Sequence, residues 1–394
     1  MVSSLTAGRQ STDVKVQPRI CLLFEDHWDQ CITKTFKFDS LKLKESSEAL
    51  TLEHMRELTS LRARSVGKAG AQEGLGFKDW TTTYFEQYIT FLANLMEKAE
   101  AVLEQGDNCT FEYTSPLAGQ PKTFYKLKGL QVELAMALLL YASALRQQAY
   151  TVVTSLEVTS LESSEPNNLK EDHTDHLAAA TLLRKAAGIY DHVKDTILVG
   201  IRDDLPPDRP AEVLPSMVEV LSKATLAEAQ AVTANRAEMK GTSPSLVTAL
   251  HRGTSDMFEE AAGVLKQHTG DFNTISQNLR KFLALSSTLH ELRAWKAWAA
   301  YERSQQSPGV SVANLQAASQ CIRECLPVVE EHAKWRQVFQ AEARQVDEQL
   351  EICDRERQVV YFQSVAKQPS KLPLAKVIVN AIKYEPKQLF HSFI

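Results

Sequence analysis

The sequence predicts an all-α fold, a solenoid of stacked helical hairpins, and three observations lead there. Residues 178–258 carry three successive helix patterns at short spacing, each with an apolar stripe wider than one neighbouring helix can cover. The segment LAMALLLYASAL at 134–145 is apolar on all sides yet far shorter than the roughly 20 residues a bilayer crossing needs, so it describes a helix buried inside protein. At 394 residues the chain exceeds the roughly 250–300 residues that one compact core supports, and no Pro/Gly/Ser linker divides it, which favours a single elongated domain.

Taken in order, residues 1–18 are polar and are expected to be mobile ahead of one domain spanning 19–394. RICLLF (19–24) and TKTFKF (33–38) are rich in β-branched and aromatic residues and are expected to pair as a small hairpin. Helix is predicted over 47–66, then a glycine-bearing connection over 67–76. The next helix, 78–105, places Trp80, Tyr84, Tyr88, Phe91, Leu92 and Leu95 at helical spacing. Residues 111–122 read as irregular, with the buried helix of 124–150 after them. Between 157 and 175 six acidic residues stand against Lys170 alone, the signature of a solvated loop.

The first helix of the central stack opens near His176 and puts Leu177, Ala180, Leu183, Ala187 and Tyr190 on one face. A turn at 203–210 leads to a second helix over 211–240, whose alanines permit close approach of its neighbours. Gly241 stops it, and Ser243 with Pro244 opens the third at 244–267. Further helices are predicted at 272–305, 311–332 and 334–358, with Pro327 expected to kink or break its helix. From Ala366 the chain is expected to run extended over the surface: Pro369, Pro373 and Pro386 oppose helix, and five lysines face Glu385 alone.

Composition excludes several function classes. A net charge of −5 offers no general attraction to nucleic acid. The start has no apolar signal core, Val2 lacks the glycine of a myristoylation site, and the HSFI ending has no prenylatable cysteine, so a cytoplasmic chain without a covalent lipid is expected. The six scattered cysteines fit reduced thiols. GKAGAQEGLG lacks phosphate-loop spacing, and His290-Glu291 lacks a second histidine because Ala294 stands four residues on. His173 and His176 have no remote ligand set, Cys321 and Cys325 one turn apart read as a buried apolar pair, and Trp295 and Trp298 with Leu285 and Leu292 read as a core stripe. No GxSxG elbow occurs. No catalytic residue, cofactor or metal is therefore expected.

Four stretches, in this order and at these separations, carry a family resemblance: FEYTSPLAG (111–119) ahead of the apolar helix, KAAGIYDHVKDTIL (185–198), LAEAQAVTANRAEMKG (226–241) and ERQVVYFQ (356–363). Together they resemble the BRO-one domain family of ALIX and its relatives, most closely its stand-alone BROX-type members, since no coiled-coil V domain or proline-rich tail follows. The resemblance spans roughly residues 15–385. It implies a boomerang-shaped helical solenoid with a tetratricopeptide-like core, a small N-terminal β-hairpin and a C-terminal segment folded back along the stack. It also implies a non-enzymatic adaptor, recruited to endosomal membranes, that holds the C-terminal amphipathic helix of an ESCRT-III subunit in a concave groove. The family's groove positions fall on Thr233, Leu246, Ala249 and Leu250. Members often carry a large aromatic at the first and a lysine at the third, so a shallower, less charged groove is implied here. Asp172 and Asp175 are expected as an acidic rim, and the lysine-bearing tail as a weak contact with anionic membrane. Two alternatives stand beside this reading. Leu246 and Leu250 lie near the edge of the stripe formed by Met257, Phe258, Ala261 and Leu265 and are also readable as core, and the alternative to the ESCRT-III partner is a helical scaffold for an unrelated peptide.

Overall fold

The computed structural model describes residues 31, 33–44, 49–66, 80–103, 109–118, 123–162, 169–201, 205–268, 275–331 and 333–387. The helices stack in chain order. α1 (Ala49–Arg64) packs on α2 (Trp80–Val102), which packs on α3 (Leu130–Glu162) after a two-stranded hairpin, β1 (Thr110–Tyr113) with β2 (Tyr125–Lys128). α3 then meets α4 (Leu169–His192), which runs through a π-turn at Val193–Ile197 into the short α5 (Leu198–Ile201). Beyond it α6 (Pro215–Met239), α7 (Pro244–His268), α8 (Gln277–Ser304), α9 (Pro308–Val329) and α10 (Ala333–Val359) each pack on the one before, α6 doing so against α4.

α6 is the centre of this stack because it is alanine-rich on more than one side. Ala224, Ala227, Ala229, Ala231 and Ala234 are all buried, leaving room for α4 along one flank and α7 along the other. Its C-terminus closes as the sequence requires: Gly241 adopts φ +68°, and the Thr242 amide reaches back to the Ala237 carbonyl. Buried ion pairs tie distant elements: Arg62 to Glu133 (2.8 Å), with Tyr88 and Tyr113 on the same carboxylate, and Arg146 to Glu228 (3.0 Å) between α3 and α6. Glu342 of α10 takes both Arg293 and Lys296 of α8. Cys321 and Cys325 are buried, as their spacing suggested, and burial, with acidic neighbours adding to it, pushes the Cys321 thiol up to about 12.

Three expectations are corrected. The hairpin exists but is made of other residues: β1 and β2 pair in the register Thr110↔Lys128, burying Phe111, Tyr113 and Leu127 on one side. Residues 19–24 lie outside the described residues, while TKTFKF runs along this hairpin, Thr33 bridging Tyr113 and Phe36 resting on Phe111 with ring centroids 4.3 Å apart. The acidic stretch is largely helical, since α3 continues to Glu162 and α4 starts at Leu169, well before His176. Of the kink or break expected at Pro327, the break does not occur. α9 runs on to Val329, because a proline in the last turn forfeits only one hydrogen bond of a ladder about to stop.

Candidate partner-binding face

After α10 the chain leaves helix and returns across the stack as an extended strap, residues 360–387. Its backbone carries polar groups that need partners, and the helices it crosses supply them. The Ala366 amide donates to the Gly309 carbonyl of α9 (3.1 Å), and Ser370 bonds Asn314 and the Trp298 indole. Arg252 of α7 donates to the Pro373 carbonyl (2.9 Å), and the Lys376 amide to the Ala249 carbonyl (2.8 Å). The Gln230 amide of α6 acts as a clamp, its nitrogen donating to the Lys376 carbonyl and its oxygen accepting from the Ile378 amide. Arg184 of α4 completes the crossing by donating to Asn380 and accepting from Ile382.

Three glycines make this contact possible. A Cβ on Gly188, Gly253 or Gly309 would lie 1.8, 2.5 or 2.2 Å from a strap carbonyl oxygen, distances that no side chain tolerates. Val379 then turns inward among Ala180, Leu183, Ala229 and Val232. Tyr384 lies tilted against His192, ring centroids 5.1 Å apart, and burial, with Glu86 nearby, raises its hydroxyl to about 12, so it stays neutral.

The strap defines a face, and the predicted groove can be placed against it. On α4, Leu177 lies two turns from Arg184 on the same side and is 52% exposed. On α6, Thr233 follows Gln230 by three residues and is half-buried; on α7, Leu246 precedes Ala249 by three and is also half-buried. The antiparallel register is given by Ser222 bonding Asp191 (2.7 Å) and by Lys223 bonding Glu260 (2.6 Å), so Leu177, Thr233 and Leu246 stand at similar height on three adjacent helices. They form a shallow apolar lane along one edge of the strap.

The other predicted residues do not join them. Leu250 is 1% exposed and Ala249 8%, because both sit where α7 meets its neighbour and the strap. Leu250 is a core side chain, and Ala249 contributes a carbonyl. Asp175 is exposed but lies on the side of α4 opposite Arg184, and the side chain of Asp172 lies outside the described residues. Leu177 was missed as a lane residue: its spacing to Ala180 and Leu183 placed it on the buried stripe. A signal was present in Gly188 and Gly253, each inside a helix where glycine costs about 1 kcal/mol, which points to close backbone approach.

Beneath the lane, His251 of α7 and His290 of α8 meet through their Nδ1 atoms at 3.0 Å, both buried, with Phe258 stacked on His290. Burial, reinforced by His251 and Arg293, holds His290 well below the usual imidazole range. Among the described residues no cluster of histidine, cysteine and carboxylate groups could hold a metal ion, and no helix is long and apolar enough to cross a membrane. A cleft of about 390 Å³ between α7, α8 and the strap holds Asp256, Glu259 and Glu291 beside Arg252, Trp295 and Lys371.

The profile of the BRO1-like domain matches residues 26–393, almost the entire chain. The chain belongs to the BRO1-like domain family. Solved structures agree with its architecture. The ALIX BRO1 domain in complex with CHMP4C superposes with a TM-score of 0.66 at 17% identity, covering 95% of this chain and 99% of the other. ALIX in complex with the SIVmac239 PYKEVTEDL late domain gives 0.67 at 16% identity, over 92% of this chain and 50% of that one. A Bro1 domain described for endosomal targeting gives 0.62 at 14%, over 89% and 90%. No curated protein matches in sequence. The BRO1-like stack is thus the boomerang-shaped helical fold of ALIX and Bro1, crossed by its own C-terminal strap.

Proposed function

We propose that this BRO1-like chain is a non-enzymatic adaptor that receives the C-terminal amphipathic helix of an ESCRT-III subunit on its strap-bearing face, in endosomal sorting or membrane remodelling. The observation that carries the reading is the lane of Leu177, Thr233 and Leu246, part-exposed apolar or small side chains from three helices held level by the packing of α4, α6 and α7. An amphipathic helix offers anchors at i, i+3, i+4 and i+7, the spacing needed to reach such a row. Full burial of each leucine contributes about 1.5–3 kcal/mol. Support comes from the family itself and from its ALIX member, whose BRO1 domain is found in a complex with CHMP4C. Leu250, being interior, supports α7 beneath the lane and is not an anchor.

Titration of a labelled ESCRT-III C-terminal helix against purified protein tests this. Leu246→Asp and Thr233→Asp are expected to weaken binding at least tenfold while leaving the melting temperature close to that of the parent. Val199→Asp, which alters a 69% exposed residue elsewhere, is expected to change nothing. Unaltered affinity in folded Leu246→Asp protein would remove the lane from consideration. Absence of any binding by the parent would leave the fold with a different peptide.

A further inference from the structure

The strap has a second property that the lane does not use. From Arg357 to Tyr384 the chain contains no aspartate or glutamate, and residues 360–384 carry Lys367, Lys371, Lys376 and Lys383, all exposed. This stretch is +4 in a chain of net charge −5, leaving −9 on everything else. Interleaved with the lysines are apolar side chains facing solvent: Leu374 at 85%, Val377 at 51% and Ile378 at 49%.

The strap opens on an apolar tip. Val359, Val360, Tyr361 and Phe362 follow one another at the end of α10 with exposures of 66, 62, 38 and 82%. Four successive exposed apolar residues cost solubility unless something covers them. The turn that presents them is firmly built. The amides of Val360 and Tyr361 both donate to the Glu356 carbonyl, and the Gln363 amide donates to Arg357 (2.8 Å). Arg357 returns a bond to the Gln363 carbonyl, and the Gln363 side chain bridges Gln306 and Gly309. The polar neighbours are thereby turned inward, and Phe362, held at φ +50°, is turned out.

We propose that this strip docks on an anionic lipid surface, the tip at 359–362 entering the headgroup layer while the strap lysines lie against the lipid charge. The occupant follows from the chemistry. The strip is cationic throughout while the rest of the chain is acidic, so only a negative surface attracts this part and not the whole, and the tip projects outward, as insertion between headgroups requires. Each lysine near such a surface strengthens partition roughly fivefold, an effect screened within about 10 Å at 0.1 M salt. The tip at 359–362 is separate from the partner lane, which borders the strap where the Lys376 amide meets Ala249, and the proposal stands without the lane.

Vesicle flotation with the full chain tests the proposal, using phosphatidylcholine alone and a 70:30 mixture with phosphatidylserine. Flotation is expected with the mixed vesicles at 0.1 M salt and is expected to fall away at 0.5 M. The Val360→Asp/Phe362→Asp pair and the triple change of Lys367, Lys371 and Lys376 to Gln are each expected to reduce it at least tenfold; Val199→Asp is expected to leave it unchanged. Aspartate tolerates the left-handed backbone of position 362 better than phenylalanine does, so the tip variant should fold. A second readout, the emission of Phe362→Trp, retains an apolar tip and is expected to shift to the blue on mixed vesicles. Equal flotation with both vesicle types, an undiminished tip variant, or no emission shift overturns the assignment and leaves the tip as a contact for another protein.

Discussion

At Gly253 a single hydrogen atom separates α7 from the strap. The Cβ of alanine there would lie 2.5 Å from the Lys376 carbonyl oxygen, whereas at Gly263, on the same helix, it would meet nothing within 4 Å. Gly253→Ala is therefore expected to destabilise the protein by about 1–3 kcal/mol and to make residues 370–384 sensitive to limited proteolysis. Gly263→Ala is expected to stabilise by about 0.5–1 kcal/mol, read in parallel denaturant melts. A second residue-scale expectation concerns pH. His290 is held neutral in the fold by burial, so its folded value lies below the unfolded one and the unfolded chain binds the extra proton. Stability contributed by this residue is full above the unfolded value near 6.5 and is lost as pH falls below it, on the order of 1 kcal/mol by pH 5.5. The melting temperature of the parent should drop between pH 7.5 and 5.5 more than that of His290→Gln. Equal slopes would place the pH dependence elsewhere.

Among the elements, those with long, unambiguous periodicity were legible in the sequence and the short ones were not. Residues 244–267 were read as a helix and the structure gives Pro244–His268, because Gly241, Pro244 and the stripe of Phe258, Ala261 and Leu265 agree at every level. The hairpin was misplaced because its strands have four residues each and flank Pro116 and Gly119, so that the whole stretch read as loop. The acidic stretch read as loop because its charge hides the helix signal, although α3 and α4 enclose it from both ends. The strap was legible as extended chain from its prolines; its path across five helices was not, because the partners that fix it, Gly309, Gln230 and Arg184, are far away in sequence. The lane was legible in part for the same reason. Thr233 and Leu246 came from a family resemblance, and Leu177, which completes the row, becomes visible only once α4 is laid beside α6.

Viewed as a whole, the described molecule is a helical stack with one face dressed by its own C-terminal segment. Ser222 bonds Asp191 between α6 and α4, and Lys223 bonds Glu260 between α6 and α7, so the spacing of α4, α6 and α7 is set before any partner arrives. A preorganised row loses little entropy on binding, which is what an adaptor needs in order to capture a helix that orders itself only at contact. The most direct measurement places a photoreactive benzoylphenylalanine at the central apolar anchor of the ESCRT-III C-terminal helix and maps the crosslinks by mass spectrometry. The account predicts adducts within residues 174–184, 233–240 and 243–246. Adducts confined to α8–α10, or spread evenly over the surface, would contradict it.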